Sequence, residues 1–228
     1  MAIHLYLVRH GQTYFNLYNR LQGWSNSPLT DSGKADAVRA GEKLAHIKFD
    51  AAFCSDTTRA QDTARTILLK NPSAQFSNLI EAEAHMEFRE QFYGYFEGKD
   101  MNEAWWAAGA GHGAHTYAQI VEQFGREATR DFLKDADPFH HAENNEEYWA
   151  RIQRGFGIIA KSRRVHDDSN VLLISHGNTL LSLMHRCAQD TQDFDLTVRP
   201  ENGSVTRIDF NPRASSFEEA LTIVGYNE

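Results

Sequence analysis

Cysteine is scarce, with Cys54 and Cys187 the only two in 228 residues. They form neither a CxxC pair nor a dense framework, which argues against a disulfide scaffold or a zinc site and leaves buried, reduced thiols as the expectation for both. Long apolar runs are missing as well. No stretch is long enough to span a bilayer, and residues 1 to 8 lack the basic start, apolar stretch and small-residue cleavage site of a signal peptide. A soluble cytoplasmic protein without a membrane partner is expected. Basic charge is short too: 23 Lys and Arg stand against 31 Asp and Glu, a formal net charge of −8. That balance argues against a nucleic-acid partner, because phosphate neutralisation needs clustered Lys and Arg. A small anionic substrate stays open, since a local arginine pocket can bind an anion against the global charge.

What is present is an ordinary globular composition, 41% hydrophobic and 24% charged. Apolar runs at Ile3 to Val8, Ala51 to Cys54 and Val171 to Ile174 read as buried strands, each followed by a helical pattern. Thr30 suits the N-cap of a helix that presents Val38, Leu44 and Ile47 on one face, and Ser55 or Asp56 suits the cap of a helix through about Leu69. Gln75 to Ile80 fits a third strand after a turn at Asn71-Pro72-Ser73, while Ser204 to Phe210 and Ala220 to Tyr226 can complete the sheet. Glu143 to Val165 fits a long helix capped by Asn144 or Asn145. Strand and helix alternate, so the expected fold is a three-layer α/β/α arrangement around a mostly parallel, doubly wound sheet. One domain over residues 1–228 is expected, with a helical insertion at about 99–140 capping the active site.

In such a sheet the carboxyl ends of the strands share one edge, and ligands bind there. The first strand ends in Arg9-His10-Gly11, the second leads to Arg59, and the Val171 strand ends in Ser175-His176-Gly177. An acid, Glu90, follows on a loop dense in aromatics; Glu81, Glu83, Glu87 and Glu97 are its neighbours, and Glu87 is its main rival. These residue types suit phosphoryl transfer to a histidine. Arginine forks hold the charge that spreads over the phosphoryl oxygens, and a neutral imidazole attacks if its other nitrogen is tied to an acceptor such as the Gly11 carbonyl. His176 would donate from the other side. Glu90 would protonate the leaving oxygen and then serve as base, with burial among Phe88, Phe92 and Tyr93 raising its pKa toward neutrality. The spacing His112-Gly113-Ala114-His115 lacks a Cys or close carboxylate and makes a poor metal site. Trp105 and Trp106 fit either a pocket lining or cap packing.

Leu7 to Thr13 with Asn16, Leu29-Thr30 to Gly33, Ser55 to Ala64 around Arg59, Glu90 to Gly94, and Ser175-His176-Gly177 together resemble the histidine phosphatase superfamily, which includes the cofactor-dependent phosphoglycerate mutases. The resemblance implies a phosphohistidine at His10, a phosphate pocket of Arg9, Asn16, Arg59 and His176, Glu90 as proton donor, and metal independence. Gln22, Gly23, Gly177 and Asn178 are further expected substrate contacts.

Asn19-Arg20, Gly23-Trp24, Glu90 with Tyr93-Gly94, and Gly177-Asn178 resemble the mutases. Those enzymes carry an arginine pair in the insertion, however, and between Lys99 and Pro138 only Arg126 and Arg130 stand, singly. Leu21 to Trp24 followed by Ser27 to Thr30 looks more like the broad-specificity phosphatases. The expected function is therefore hydrolysis of small phosphorylated metabolites without a cofactor. The alternative is a phosphoglycerate mutase, for which 2,3-bisphosphoglycerate would be the cofactor. A catalytically silent member that binds phosphorylated ligands or proteins is the third reading. No motif reports the oligomeric state, so a homo-oligomer stays open.

Overall fold

A computed structural model describes residues 2–187 and 194–228. Strand β1 (Ile3–Arg9) leads through the short helix α1 (Tyr14–Leu17) to α2 (Asp31–Lys43). Strand β2 (Ala51–Ser55) leads to α3 (Thr58–Lys70) and α4 (Pro72–Phe76), and β3 (Glu83–His85) to turns of 3-10 helix at Met86–Phe88 and Gly94–Phe96. The insertion folds as α5 (Met101–Ala110), α6 (Tyr117–Phe124) and α7 (Ala128–Ala136). Then come α8 (Asn145–Lys161), β4 (Asn170–Ser175), α9 (Gly177–Cys187), β5 (Val205–Phe210) and β6 (Leu221–Gly225).

The six strands form one sheet in the order β3-β2-β4-β1-β5-β6. The pairs β3-β2, β2-β4 and β4-β1 are parallel, while β5 runs antiparallel to both β1 and β6. Alternation along the strands feeds two apolar layers. Leu5, Leu7, Val171 and Leu173 join Trp149, Ile152 and Phe156 of α8 and Leu180 and Met184 of α9 on one face. Val8, Leu172 and Ile174 join Ala40, Ala64 and Ile67 of α2 and α3 on the other. The expected α/β/α layering is what forms. A third cluster, including Tyr93, Trp105, Ile120 and Leu133, knits the insertion to the loops below it.

Three local expectations need correction. Residues 75–80 are not a strand: Asn71 accepts a hydrogen bond from the Ala74 N–H, Pro72 occupies the first helical turn, and α4 begins where a turn was expected. The third strand is β3 instead. The N-cap of α3 is Thr57, without a side-chain cap bond, rather than Ser55 or Asp56. Of the expected face, Leu44 is buried and Ile47 packs against the same core, both just past the end of α2, whereas Val38 is only partly covered and α2 itself buries Gly33, Asp36, Ala37, Ala40 and Gly41. Thr30 and Asn144 cap α2 and α8, the latter with Glu147 closing a capping box.

Register decides the site. Arg9 of β1 lies opposite Ser175 of β4, so the next residues, His10 and His176, leave the sheet side by side. The loop after His10 then passes so close to α2 that a Cβ on Gly11 would run into the Gly33 carbonyl, and one on Gly33 into that of Gln12. Among the described residues, no helix is long and apolar enough to cross a membrane.

Candidate active site

The rings of His10 and His176 meet edge to face with centroids 5.1 Å apart. Between them reaches Arg59 from the first turn of α3, fully buried: its Nε donates to His10 Nε2 at 3.3 Å and one terminal nitrogen to His176 Nδ1 at 3.2 Å. An arginine only donates, so both accepting nitrogens carry lone pairs. Tautomers follow from this. His10 Nδ1 lies 2.7 Å from the Gly11 carbonyl, so Nδ1 holds the proton and Nε2, which accepts from Arg59, carries the lone pair. His176 carries its proton on Nε2, a buried atom without a hydrogen-bond partner. Arg9 donates to the Pro200 carbonyl at 2.6 Å, while its buried Nε is likewise unpaired.

Burial, reinforced by the neighbouring Arg59 guanidinium, holds both histidines well below the usual imidazole range. For Arg9 and Arg59 burial lowers the pKa to about 9 and about 10, so both stay cationic at neutral pH. Neutral imidazoles flanked by fixed cations are chemically suited to receive an anion.

Glu90 is 2% exposed and faces the same cavity. Its carboxylate accepts from the Asn178 N–H at 2.9 Å, the Thr179 hydroxyl at 2.9 Å and the Gln91 N–H at 3.1 Å, and Arg199 lies 3.9 Å away. Its rival Glu87 lies at a separate surface depression beside Arg154 and Lys161. Glu97 spends its oxygens on the N–H groups of residues 23–25 and Tyr93.

The cavity, about 260 Å³, is lined by Arg9, His10, Asn16, Gln22, Glu90, Gly177 and Asn178 among others. Asn16 closes a capping box with Thr13, and Gln22 accepts from the Thr13 hydroxyl at 2.6 Å while its buried Nε2 is unpaired. Gly177 has to lack a Cβ, which would press on Nε of both Arg9 and Arg199. Gly23 lies one step back, its carbonyl accepting from Arg59 at 2.7 Å. Trp105 and Trp106 separate: the first is 4% exposed and lines the cavity, the second is 56% exposed.

Arg20, Arg126 and Arg199 also line the cavity, and the sequence had given none of them a role. Arg126 donates to the Tyr117 hydroxyl at 2.8 Å and lies 3.1 Å from His185 Nε2, which also faces the Leu196 carbonyl at 3.0 Å, about two turns along α9 from the His176 end. Arg20 belongs to the Asn19-Arg20 match, whereas nothing local in the sequence marks Arg126 and Arg199 as cavity residues, because their convergence depends on how the insertion and the segment before β5 fold back.

Cys54 is buried, and burial lifts its thiol to about 12, out of reach of thiolate chemistry. The Cys187 side chain lies outside the described residues. Among the described residues no group of three or more His, Cys, Asp or Glu could hold a metal ion. His112 instead stacks on Phe132 with centroids 3.6 Å apart.

The buried histidines make acid stability a test of this site. Their pKa values are lowered in the fold, so below the ordinary value of about 6.5 the unfolded chain takes up protons that the fold refuses. Stability is complete above that pH and drains as pH falls from it toward the folded values, by at most about 1.4 kcal/mol per pH unit per histidine. Denaturant midpoints between pH 7 and 5 should show a shallower loss in His176→Gln than in wild type; parallel curves would mean that His176 is not held neutral.

A model of the histidine phosphatase superfamily, branch 1, matches residues 5–220. The chain is 34% identical over 181 residues to 2,3-bisphosphoglycerate-dependent phosphoglycerate mutase 2 of Gloeobacter violaceus, covering 79% of this chain and 73% of the relative. It is 33% identical over 186 residues to the 2,3-bisphosphoglycerate-dependent phosphoglycerate mutase of a Bradyrhizobium species, covering 79% and 78%. The crystal structure of a phosphoglycerate mutase from Bacillus anthracis superposes with a TM-score of 0.84 at 29% identity, over 100% of this chain and 93% of the other. A mycobacterial glucosyl-3-phosphoglycerate phosphatase shares the fold at a TM-score of 0.62 and 22% identity, over 98% of each chain. Two neutral strand-end histidines bridged by Arg59, with sequence likeness running from β1 nearly to the end of the sheet, place the matter beyond local motif: the chain belongs to the histidine phosphatase superfamily.

Proposed function

We propose that the chain transfers phosphoryl groups through His10 in the manner of a 2,3-bisphosphoglycerate-dependent phosphoglycerate mutase. The observation that carries this reading is a set of buried, unpaired N–H donors at two places around one small cavity. Arg9 Nε and Gln22 Nε2 belong to residues that line the cavity with His10, His176 Nε2 to the ring packed against His10, and Arg126 Nε to the insertion. Buried donors are rarely left unsatisfied, so each group suits an anion. The missing Arg-Arg pair had ranked the mutase second to the phosphatase. Arg126 and Arg199, brought in from separate segments, supply cations of the kind that pair would provide, and the names of the relatives favour the mutase.

His10 Nε2 attacks phosphorus as the ester P–O bond breaks, and Nδ1 keeps its proton on the Gly11 carbonyl throughout. Arg9 and Arg59 hold the charge in flight, with His176 donating from Nε2. Glu90 gives a proton to the departing oxygen and takes one from the acceptor hydroxyl in the return step. Arg9, Arg59 and His176 would hold one phosphate of 2,3-bisphosphoglycerate and Arg126 and Arg199 its other end, and the cofactor would supply the first phosphoryl group.

Hydrolysis is the second reading, favoured by the apolar wall of Leu21, Met101, Trp105, Tyr117 and Leu181. It suits an ester less polar than phosphoglycerate, with water as acceptor. Isomerisation of 3-phosphoglycerate should be stimulated by 2,3-bisphosphoglycerate and outpace phosphate release across a metabolite panel. Phosphate release without isomerisation would give the site to hydrolysis.

A further inference from the structure

Between Arg59 and the insertion lies a loop, Gly23-Trp24-Ser25, held on both sides by charge. On one side its carbonyls face the cation: Gly23 O accepts from an Arg59 terminal nitrogen at 2.7 Å and Ser25 O from the other at 2.9 Å. On the opposite side its N–H groups face an anion. Glu97 Oε2 accepts from Gly23 N at 3.1 Å, Ser25 N at 3.0 Å and the Ser25 hydroxyl at 2.5 Å. Glu97 Oε1 accepts from Trp24 N at 2.8 Å and Tyr93 N at 3.1 Å.

One carboxylate thus gathers the backbone donors of three successive residues, and the first and last of those residues present their carbonyls to the guanidinium. A Cβ on Gly23 would strike the Gln91 carbonyl and Glu97 Oε1, so the approach requires glycine there. The loop touches the acid as well, through Trp24 Nε1, which donates to the Glu90 carbonyl at 3.2 Å. Without the carboxylate, converging N–H groups would lack acceptors and the loop would turn toward water, taking with it the carbonyls that aim Arg59.

We infer that Glu97 is a positioning residue: through the Gly23-Trp24-Ser25 loop it fixes the Arg59 guanidinium between His10 and His176. The inference rests on the phosphoryl-transfer reading of His10 and names a residue that never touches the substrate. It explains why the acid at the start of the insertion is spent on backbone N–H groups rather than aimed into the cavity.

The test is a double-mutant cycle with two readouts. Para-nitrophenyl phosphate measures transfer to His10 as a burst of nitrophenolate, and inorganic phosphate measures anion binding by calorimetry. Glu97→Gln keeps the shape but puts an amide NH2 where a carboxylate oxygen accepted N–H groups. The burst rate should fall by about 10- to 100-fold with the Michaelis constant moving less, because Arg59 acts on charge that develops in flight. Phosphate affinity should fall with it. On an Arg59→Ala background the same change should alter either readout by less than about threefold, since Glu97 has then nothing to aim. Equal losses on both backgrounds, or a folded Glu97→Gln with wild-type burst and affinity, would overturn the inference. If Glu97→Gln does not fold, Ser25→Ala, which removes one of the same bonds, runs the cycle with a smaller loss expected on the wild-type background alone. Acid-labile phosphate on His10 of the wild type checks the underlying reading separately: if none forms, that reading falls, while the phosphate-binding cycle still decides the role of Glu97.

Discussion

His10→Ala should lose phosphoryl transfer by at least about four orders of magnitude while keeping its fold and much of its affinity for inorganic phosphate. The size follows from what His10 alone supplies. Removing a covalent nucleophile leaves only binding and electrostatic stabilisation, which in other nucleophilic enzymes amounts to a small residue of the full rate. Among the described residues His176 is the imidazole packed against His10, and it carries its proton on the unpaired Nε2, so it would donate to a phosphate rather than attack it. The fold should survive since the backbone of residue 10 keeps its bonds, N–H to the Ser175 carbonyl at 3.1 Å and C=O from Asn202 at 2.8 Å. Loss of a buried imidazole also relieves the site of one group that resists protonation in acid. The measurements are burst kinetics, mapping of acid-labile phosphate and circular dichroism. Residual transfer above about one percent of wild type in a folded variant would remove His10 from the nucleophile's role.

The cluster of His10, Arg59 and His176 was legible because each part of it is local in the sequence. A β-favouring run that ends in His-Gly marks a strand delivering a side chain to the sheet edge, and this chain has two, at His10 and His176. Arg59 followed from its place one residue inside a helix that opens directly after a strand. Caps at Thr30 and Asn144 were readable for the same reason: the cap and the N–H it serves lie three residues apart.

What escaped was set by long-range packing. Arg199 comes from the segment before β5 and Arg126 from between two insertion helices, so no spacing relates them to Arg9, though all line one cavity. The absence of an Arg-Arg pair therefore says little about the number of cations a substrate meets. Glu97 was visible only as a neighbour of Glu90. Its function depends on a turn that brings residues 23–25 within reach of residue 97, and Gly23, singled out as a substrate contact, proves to hold both Glu97 and Arg59. Near residues 75–80 no strand forms, because Asn71 caps and Pro72 opens a short helix that runs into the start of the stretch expected to be extended.

The position of Glu90 depends on a buried ion pair, and breaking it should carry the largest cost in stability. Arg151 of α8, 2% exposed, grips Glu143 with two parallel bonds of 2.6 and 2.7 Å. Burial works against its charge, yet the Glu143 carboxylate outweighs that and its pKa ends above the ordinary value. Its remaining hydrogens go to the carbonyls of Glu87, Arg89 and Glu90 at 2.9, 3.0 and 3.2 Å, which pins the chain just where the acid projects. Arg151→Ala strands a buried carboxylate and should cost about 3–5 kcal/mol, lowering the melting temperature by about 10 °C in a chain of this size. Activity of the molecules still folded should also drop, as Glu90 drifts from the leaving oxygen. Arg151→Met with Glu143→Leu separates the two roles. Replacing both charges with apolar groups removes the stranded anion and should restore much of the stability, whereas the carbonyls that Arg151 held are no longer drawn together and transfer should stay slow. A double variant that recovers stability and rate together would show that Arg151 supports the fold alone; melting curves and burst rates on the same samples decide it.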